Sequence, residues 1–132
     1  MVTATDILNA KILIVDDKEA NVRLLEGMLR VAGYTCVRST MDPNEVCDLH
    51  RENHYSLILL DLHLPDLPGS DVLRILKSGP ETASIPVAMI TADATPGQID
   101  RLMSAGARAY FTKPLDVKRL LQFVDEALEV AA

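Results

Sequence analysis

Five polar residues stand where short apolar runs of the sequence end. They are Asp16, Asp17, Asp61, Thr91 and Lys113. An isolated carboxylate beside an apolar run is strongly disfavoured unless it is paired, hydrogen-bonded or bound to a metal. We therefore expect these side chains to find partners among one another. Three carboxylates, a hydroxyl and an ammonium group in one crevice would form a site at which a cation assists chemistry.

The three carboxylates would require a cation. At about 5 Å and an effective dielectric constant near 20, each carboxylate pair repels by roughly 3 kcal/mol. Carboxylate oxygens, a backbone carbonyl and waters suit Mg²⁺, which prefers hard ligands and keeps part of its hydration shell. Zinc is disfavoured because His50, His54 and His63 form no strand-end ligand pattern with Cys36 or Cys47. The spacing of His50 and His54 is more typical of solvated helix histidines than of a metal site.

Short apolar runs alternate with segments of helical period five times along the chain. The predicted strands are residues 12–15, 35–39, 57–60, 87–90 and 109–111. Capping patterns predict helix starts at Asp42, Ser70, Thr95 and Asp116. Proline is expected at the first helical position after Asp42 and Thr95. The predicted helices end near glycine, at Gly33, Gly79 and Gly106.

Strands that are apolar at nearly every position, each followed by a helix, indicate a parallel sheet with helices on both faces. The predicted class is α/β, doubly wound. In such sheets the binding crevice lies beyond the carboxyl ends of the strands. Four of the five predicted strands deliver a polar group to that edge, and this joint placement is hard to produce by accident.

Length and composition predict one domain. The chain has 132 residues, of which 48% are hydrophobic, and a net charge of −6. We expect an N-terminal arm over 1–10 and a folded domain over 11–130. The negative charge argues against direct nucleic-acid or membrane binding. No apolar stretch approaches the roughly eighteen residues of a membrane span, and residues 1–10 lack the pattern of a secretory signal, so a cytoplasmic location is expected. Cys36 and Cys47 are predicted to be reduced thiols.

The sequence resembles the receiver domain of two-component response regulators from about residue 11 to residue 128. The motifs that carry the resemblance occur in the family's order and at its spacing: "ILIVDD", "LILLDLHLPDLPG", "MITADA" and "AYFTKP". The resemblance implies a flavodoxin-like sheet of five parallel strands in the order 2-1-3-4-5. It also implies a signalling switch that catalyses its own aspartyl phosphorylation and dephosphorylation, and that is not otherwise an enzyme.

The resemblance assigns the phosphoacceptor and the metal ligands. Asp61 would accept a phosphoryl group from a phosphohistidine on a histidine kinase or histidine phosphotransfer protein. Asp17, Asp61 and the backbone carbonyl of His63 would hold Mg²⁺, with Asp16 helping through water. Phosphoryl transfer proceeds through a loose transition state with charge on peripheral oxygens, so a metal and a lysine are the aids that matter.

The resemblance also implies roles for residues on the last two strands. Lys113 would pair with the phosphoryl oxygens, and Thr91 would hydrogen-bond them after transfer. Tyr110 matches an aromatic that changes rotamer with the threonine, although an ordinary buried aromatic is the alternative. The Lys113–Pro114 peptide bond is expected to be cis, which would aim the lysine into the crevice. Partner binding would switch on the face formed by helix 4, strand 5 and helix 5.

His63 and Asp93 are predicted to set the lifetime of the phosphoryl group. They lie two positions after Asp61 and Thr91, and in receivers generally these positions flank the path of water to the phosphoryl group. The imidazole could obstruct in-line attack, whereas the carboxylate could orient a water or repel hydroxide. The alternative is that both are solvated loop residues without a kinetic role.

Two other functions remain open at the level of sequence. A phosphorylation-independent receiver-like interaction module would keep the fold without the chemistry. A Mg²⁺-dependent phosphohydrolase of the haloacid dehalogenase type would need a DxD pattern after the first strand, where this chain has adjacent Asp16 and Asp17. The sequence does not identify the kinase or the downstream partner. It also leaves open a monomer or a weak homodimer, and a stand-alone regulator or part of a larger protein.

Overall fold

The computed structural model describes residues 7–61, 69–79, 82–91 and 95–131. These residues form alternating strands and helices. In chain order they are β1 (Ile12–Val15), α1 (Glu19–Val31), β2 (Val37–Thr40), a 3₁₀ helix (Pro43–Glu45), α2 (Val46–Asn53), β3 (Leu57–Asp61), α3 (Gly69–Ser78), β4 (Val87–Thr91), α4 (Pro96–Ser104), β5 (Ala109–Thr112) and α5 (Val117–Ala131). Within the described ranges, no helix combines the length and apolar character needed to cross a membrane.

The five strands form one parallel sheet in the order β2-β1-β3-β4-β5. This confirms the predicted α/β class and strand order. The order reverses between β1 and β3, because the chain moves outward to β2 on one side and to β4 and β5 on the other. Val15 lies opposite both Thr40 and Leu60, so β1, β2 and β3 end at nearly the same level. A crevice for ligands is expected at this switch point.

Alternate residues of the central strands supply two separate hydrophobic cores. One face of the sheet packs against helices that include α2 and α3, through Leu13, Val15, Ile58, Leu60, Val87 and Met89. The other face packs against α1 and α5, through Ile12, Ile14, Leu57, Leu59, Ala88 and Ile90. Full burial of one such side chain contributes about 1.5 to 3 kcal/mol. The two layers therefore fix the strand ends that carry the polar residues.

Most of the predicted helix boundaries are confirmed. Gly33 follows α1 with φ +103°, and Gly106 follows α4 with φ +110°, a conformation that favours glycine. Thr95 is the extended residue before α4. The Asp116 carboxylate accepts the N–H of Arg119 at 3.3 Å and so caps α5.

Two predicted boundaries were wrong by one or two residues. Strand β2 runs over Val37–Thr40 and not over 35–39, because the N–H of Thr35 turns away to donate to the carbonyl of Leu8 at 3.4 Å. Ser70 lies inside α3, which already begins at Gly69. Helical boundaries of this kind shift by one or two residues with local hydrogen bonding.

The start of the second helix also differs from the prediction. Residues Pro43–Glu45 form a 3₁₀ turn, and α2 begins only at Val46. The reason is local, because the Asp42 carboxylate accepts the backbone N–H of Asn44 at 2.9 Å and so favours a tight turn there.

Residues at the end of the predicted N-terminal arm pack against the domain. Ile7, Leu8 and Ala10 contact the core beneath α1 and α5. A Cβ atom at Gly33 would lie 3.1 Å from Cδ2 of Leu8, so this contact is close. The boundary between an arm over 1–10 and a domain over 11–130 stays a prediction, with residues 7–10 in contact with the core.

Candidate functional site

The carboxyl edge of the sheet positions the polar residues singled out in the sequence. Asp16 and Asp17 directly follow β1, and Asp61 is the last residue of β3. Thr91 is the last residue of β4, and Lys113 directly follows β5. Because all five strands are parallel, these side chains share one edge of the sheet.

The centre of the site is an ion pair between Asp61 and Lys113. The lysine Nζ donates to Oδ2 of the carboxylate at 2.7 Å. The side chain of Asp61 is 4% exposed, whereas that of Lys113 is 28% exposed. A charge-assisted bond of this length is strong, and removing one partner would leave the other charge poorly compensated. Lys113 thus supplies the positive charge that the buried end of β3 needs.

Asp16 adds a second buried carboxylate beside Asp61. Asp16 is 1% exposed, and its Oδ1 accepts the backbone N–H of Lys18 at 2.9 Å. Burial above all, together with the neighbouring Asp61, raises the pKa of Asp16 to about 6, although the Lys18 N–H and the Lys113 charge act in the opposite direction. One lysine therefore does not fully compensate the two carboxylates.

Asp17 supplies an observation that bears on metal binding. Its Oδ1 is buried and has no hydrogen-bond partner among the described residues. A buried carboxylate oxygen without a donor is costly unless a cation occupies the place of the donor. Asp16 and Asp17 therefore fit a hard, oxygen-preferring cation such as Mg²⁺.

The described residues hold no preassembled group of three His, Cys, Asp or Glu side chains for a metal. A site with fewer than three such side chains is compatible with Mg²⁺, because this ion is commonly bound by one or two carboxylates and keeps several waters. The backbone carbonyl predicted as a further ligand belongs to His63, which lies outside the described residues, as does Asp93.

Thr91 and Lys113 are linked through the backbone. The N–H of Lys113 donates to the carbonyl of Thr91 at 3.0 Å, and the Thr91 side chain is fully buried. The Lys113–Pro114 bond is cis, as predicted. Tyr110 is 39% exposed, so the alternative that it is a buried aromatic was wrong.

Among the described residues, His50, Cys36 and Cys47 lie outside this site. His50 is buried, not solvated as expected, because its Nδ1 accepts the backbone N–H of Tyr55 at 3.1 Å where α2 turns into β3. Cys36 is exposed and Cys47 is half-buried, and neither forms a disulfide. His50 therefore has a structural contact, and the two cysteines are free thiols as predicted.

Sequence reasoning missed an apolar cavity of about 350 Å³ beside Lys113. The cavity lies between α1 and the segment that joins β5 to α5. Its lining consists of Asp16, Asn21, Leu24, Leu25, Met28, Ile90, Lys113, Pro114, Leu115 and Val117. The helical period of α1 predicts that Leu25 and Met28 face the core, but it gives no sign that Leu24 borders the crevice.

Asp16→Asn should stabilise the metal-free protein at neutral pH. The pKa of Asp16 is about 6 in the folded protein against 3.8 ordinarily. The folded state therefore binds this proton more tightly than the unfolded chain, and its stability falls as the pH rises from about 4 to 7. We expect urea unfolding to show a gain of roughly 1 to 2 kcal/mol near pH 7.5, and almost none near pH 4.

The matched control for this substitution is Asp125→Asn on the exposed surface of α5. It removes the same charge from the chain without touching the crevice. A gain for Asp16→Asn that is equal at both pH values, or a loss near pH 7.5, would contradict the described electrostatics.

Comparison with known proteins identifies the family. The family model for the response regulator receiver domain matches residues 12–125. The polar-differentiation response regulator DivK of Brucella ovis is 36% identical over 121 residues, which cover 92% of this chain and 98% of DivK. The DivK of Brucella anthropi is 36% identical over 117 residues, which cover 89% of this chain and 94% of that protein.

Solved structures agree in fold and length. A putative response regulator from Chloroflexus aurantiacus is 29% identical with a TM-score of 0.85, covering 92% of this chain and 98% of its own. The receiver domain of the sensor histidine kinase PA1611 from Pseudomonas aeruginosa, described with a magnesium ion coordinated in its active site cleft, is 27% identical with a TM-score of 0.82 and the same two coverages. The chain belongs to the family of response regulator receiver domains, the receiving modules of two-component signalling systems.

Proposed function

We propose that this receiver accepts a phosphoryl group on Asp61 from a phosphohistidine of a histidine kinase or histidine phosphotransfer protein, in a reaction that depends on Mg²⁺. The observation that carries the proposal is the 2.7 Å ion pair between the buried Asp61 and Lys113, beside the buried carboxylate of Asp16. Receiver domains are signalling switches and not enzymes that act on a separate small substrate. Receiver domains interact with histidine kinases and with downstream effectors, and we propose both kinds of partner for this chain.

In the proposed transfer, a carboxylate oxygen of Asp61 attacks phosphorus and the P–N bond to the donor imidazole breaks. The electron pair of that bond returns to the imidazole nitrogen, and Asp61 becomes an acyl phosphate. Asp16, Asp17, Asp61 and the His63 carbonyl would hold Mg²⁺, which supplies positive charge to the phosphoryl oxygens. Lys113 exchanges its carboxylate partner for a phosphoryl oxygen and so stabilises the peripheral charge of the transition state.

Reversal of the signal requires water to reach the acyl phosphate. His63 and Asp93 are the side chains that we propose to control this access, from positions two residues beyond Asp61 and Thr91. Phosphohistidine donors of two-component systems act in the cytoplasm, so this receiver would work there.

The structural change on phosphorylation would pass from Thr91 to the face formed by α4, β5 and α5. Thr91 is fully buried at the crevice, whereas Tyr110 on the adjacent strand is exposed. A phosphoryl group adds strong acceptor oxygens that can draw the Thr91 hydroxyl inward. Tyr110 borders an open groove of about 320 Å³ between α4 and α5, together with Met103 and Phe123. A change in Tyr110 would therefore alter the surface offered to a downstream partner.

Amide NMR spectra with acetyl phosphate would test transfer and switching together. With Mg²⁺ present, we expect shifts at Asp61, Thr91 and Lys113 that extend to Tyr110 and Met103, because Thr91 and β5 are linked by hydrogen bonds. Mg²⁺ alone should move only the crevice signals. Spectra that do not respond to acetyl phosphate plus Mg²⁺ would favour the interaction module that binds without phosphorylation. Shifts confined to the crevice would refute the switching face.

A further inference from the structure

The end of β2 holds the backbone of the acidic residues after β1. The carbonyl of Thr40 accepts the N–H of Asp16 at 3.2 Å. This bond belongs to the last registered pair of the β1–β2 ladder, Val15 with Thr40. The position of the Asp16 backbone therefore depends on where the β2 strand ends.

The side chain of Thr40 fixes that end. It is buried, with 7% of the residue exposed, and its hydroxyl accepts the N–H of Asp42 at 3.0 Å. The same hydroxyl donates to Oε2 of Glu45 at 2.9 Å, a charge-assisted bond. These two bonds close the turn by which the chain leaves the sheet. With the turn closed, the Thr40 carbonyl stays directed at Asp16.

The acidic residues are thus held from two sides. The Asp16 N–H is fixed by Thr40, and the Asp16 carboxylate is fixed by the N–H of Lys18. The next residue is Asp17, whose buried Oδ1 has no partner among the described residues. The placement of this oxygen follows from the path of the backbone through Asp16.

From these contacts we infer that Thr40 is a positioning residue for the magnesium carboxylates Asp16 and Asp17, although it does not itself reach the metal. This role rests on the proposed function, because it presupposes that these carboxylates bind Mg²⁺. Removal of a group that hydrogen-bonds a metal ligand and so orients it commonly lowers the metal affinity by about 10- to 100-fold. Thr40 acts through one backbone bond, so we expect the lower end of that range.

Thr40→Val keeps the shape of the side chain and removes both hydroxyl bonds. Calorimetric titration with Mg²⁺ should show roughly ten-fold weaker binding. The rate of labelling by acetyl phosphate at saturating Mg²⁺ should stay within about two-fold of wild type, because Asp61 and Lys113 are untouched. Thr40→Ser restores the hydroxyl and should restore the Mg²⁺ affinity.

The matched control is Ser39→Ala, one residue earlier on the same strand. The Ser39 hydroxyl donates to Glu26 at 2.7 Å, away from Asp16. This variant loses a hydrogen bond of β2 and should bind Mg²⁺ like wild type. A merely structural role for Thr40 would make the two variants alike in Mg²⁺ affinity, and that result would overturn the inference.

Folding is checked by urea unfolding of each variant. If Thr40→Val does not fold, Glu45→Ala removes the shorter, charged acceptor of the Thr40 hydroxyl from an exposed position and should weaken Mg²⁺ binding in the same direction. Glu45→Gln removes the same charge but keeps an acceptor oxygen, and an equal loss of Mg²⁺ affinity in both variants would overturn the inference.

The outcomes for wild type distinguish this inference from the proposed function. Wild type that does not bind Mg²⁺ would refute the proposed function itself. Wild-type binding with an unchanged affinity in Thr40→Val would refute only the role of Thr40.

Discussion

Asp61→Asn should abolish labelling of the protein by acetyl phosphate and Mg²⁺. The asparagine amide has the shape of the carboxylate but is not a nucleophile towards phosphorus. The other groups of the crevice stay in place, so the loss reports the missing acceptor oxygen and not a collapsed site. Intact-mass measurement should find one added phosphoryl group in wild type and none in the variant.

Asp125→Asn provides the control for this experiment, because it removes an exposed carboxylate from α5. It should label like wild type. Substantial labelling that persists in Asp61→Asn would mean that another side chain accepts the phosphoryl group. The assignment of Asp61 as phosphoacceptor would then be wrong.

Lys113→Ala should slow labelling by roughly 100-fold at saturating Mg²⁺, an effect typical of removing one group that stabilises transition-state charge. The lysine lies 2.7 Å from the Asp61 carboxylate and would follow the developing charge onto the phosphoryl oxygens. Its removal also takes away the charge with which the buried Asp61 carboxylate pairs, beside the second buried carboxylate of Asp16. We expect metal-free Lys113→Ala to lose roughly 1 to 3 kcal/mol of unfolding free energy, less than a fully buried pair would lose because Lys113 is partly exposed.

Time courses of intact mass measure the labelling rate, and urea unfolding with a chelator measures the stability. Lys118→Ala is the matched control, because it removes a lysine that is exposed on α5. Lys113→Arg keeps the charge but changes its geometry, so its rate should lie between those of wild type and Lys113→Ala. A Lys113→Ala rate within about two-fold of wild type would contradict the role given to this lysine.

The sheet and its edge could be predicted from the sequence because each rests on a local pattern. Runs such as Leu57–Asp61 are apolar up to the final carboxylate, and burial on both faces of a parallel sheet demands such runs. Once the strands are parallel, their carboxyl ends meet at one edge. The meeting of Asp61 and Lys113, 52 positions apart, follows from that geometry.

The features that were not predicted depend on contacts between elements. The burial of His50 arises from its bond to the Tyr55 N–H at the turn after α2, which no periodicity signals. The late start of α2 and the role inferred for Thr40 come from side chains that bond the backbone of a tight turn. Each such bond competes with regular structure by about 1 kcal/mol. The spacing of apolar residues does not indicate where these bonds form.

The most direct test is to locate the phosphoryl group in the wild-type chain. After reaction with acetyl phosphate and Mg²⁺, borohydride converts an aspartyl phosphate to homoserine, and tandem mass spectrometry of the digested protein reads its position. We expect homoserine at position 61 alone, and none when the metal is chelated before the donor is added. Homoserine at another aspartate, or at position 61 to the same extent without Mg²⁺, would contradict this expectation.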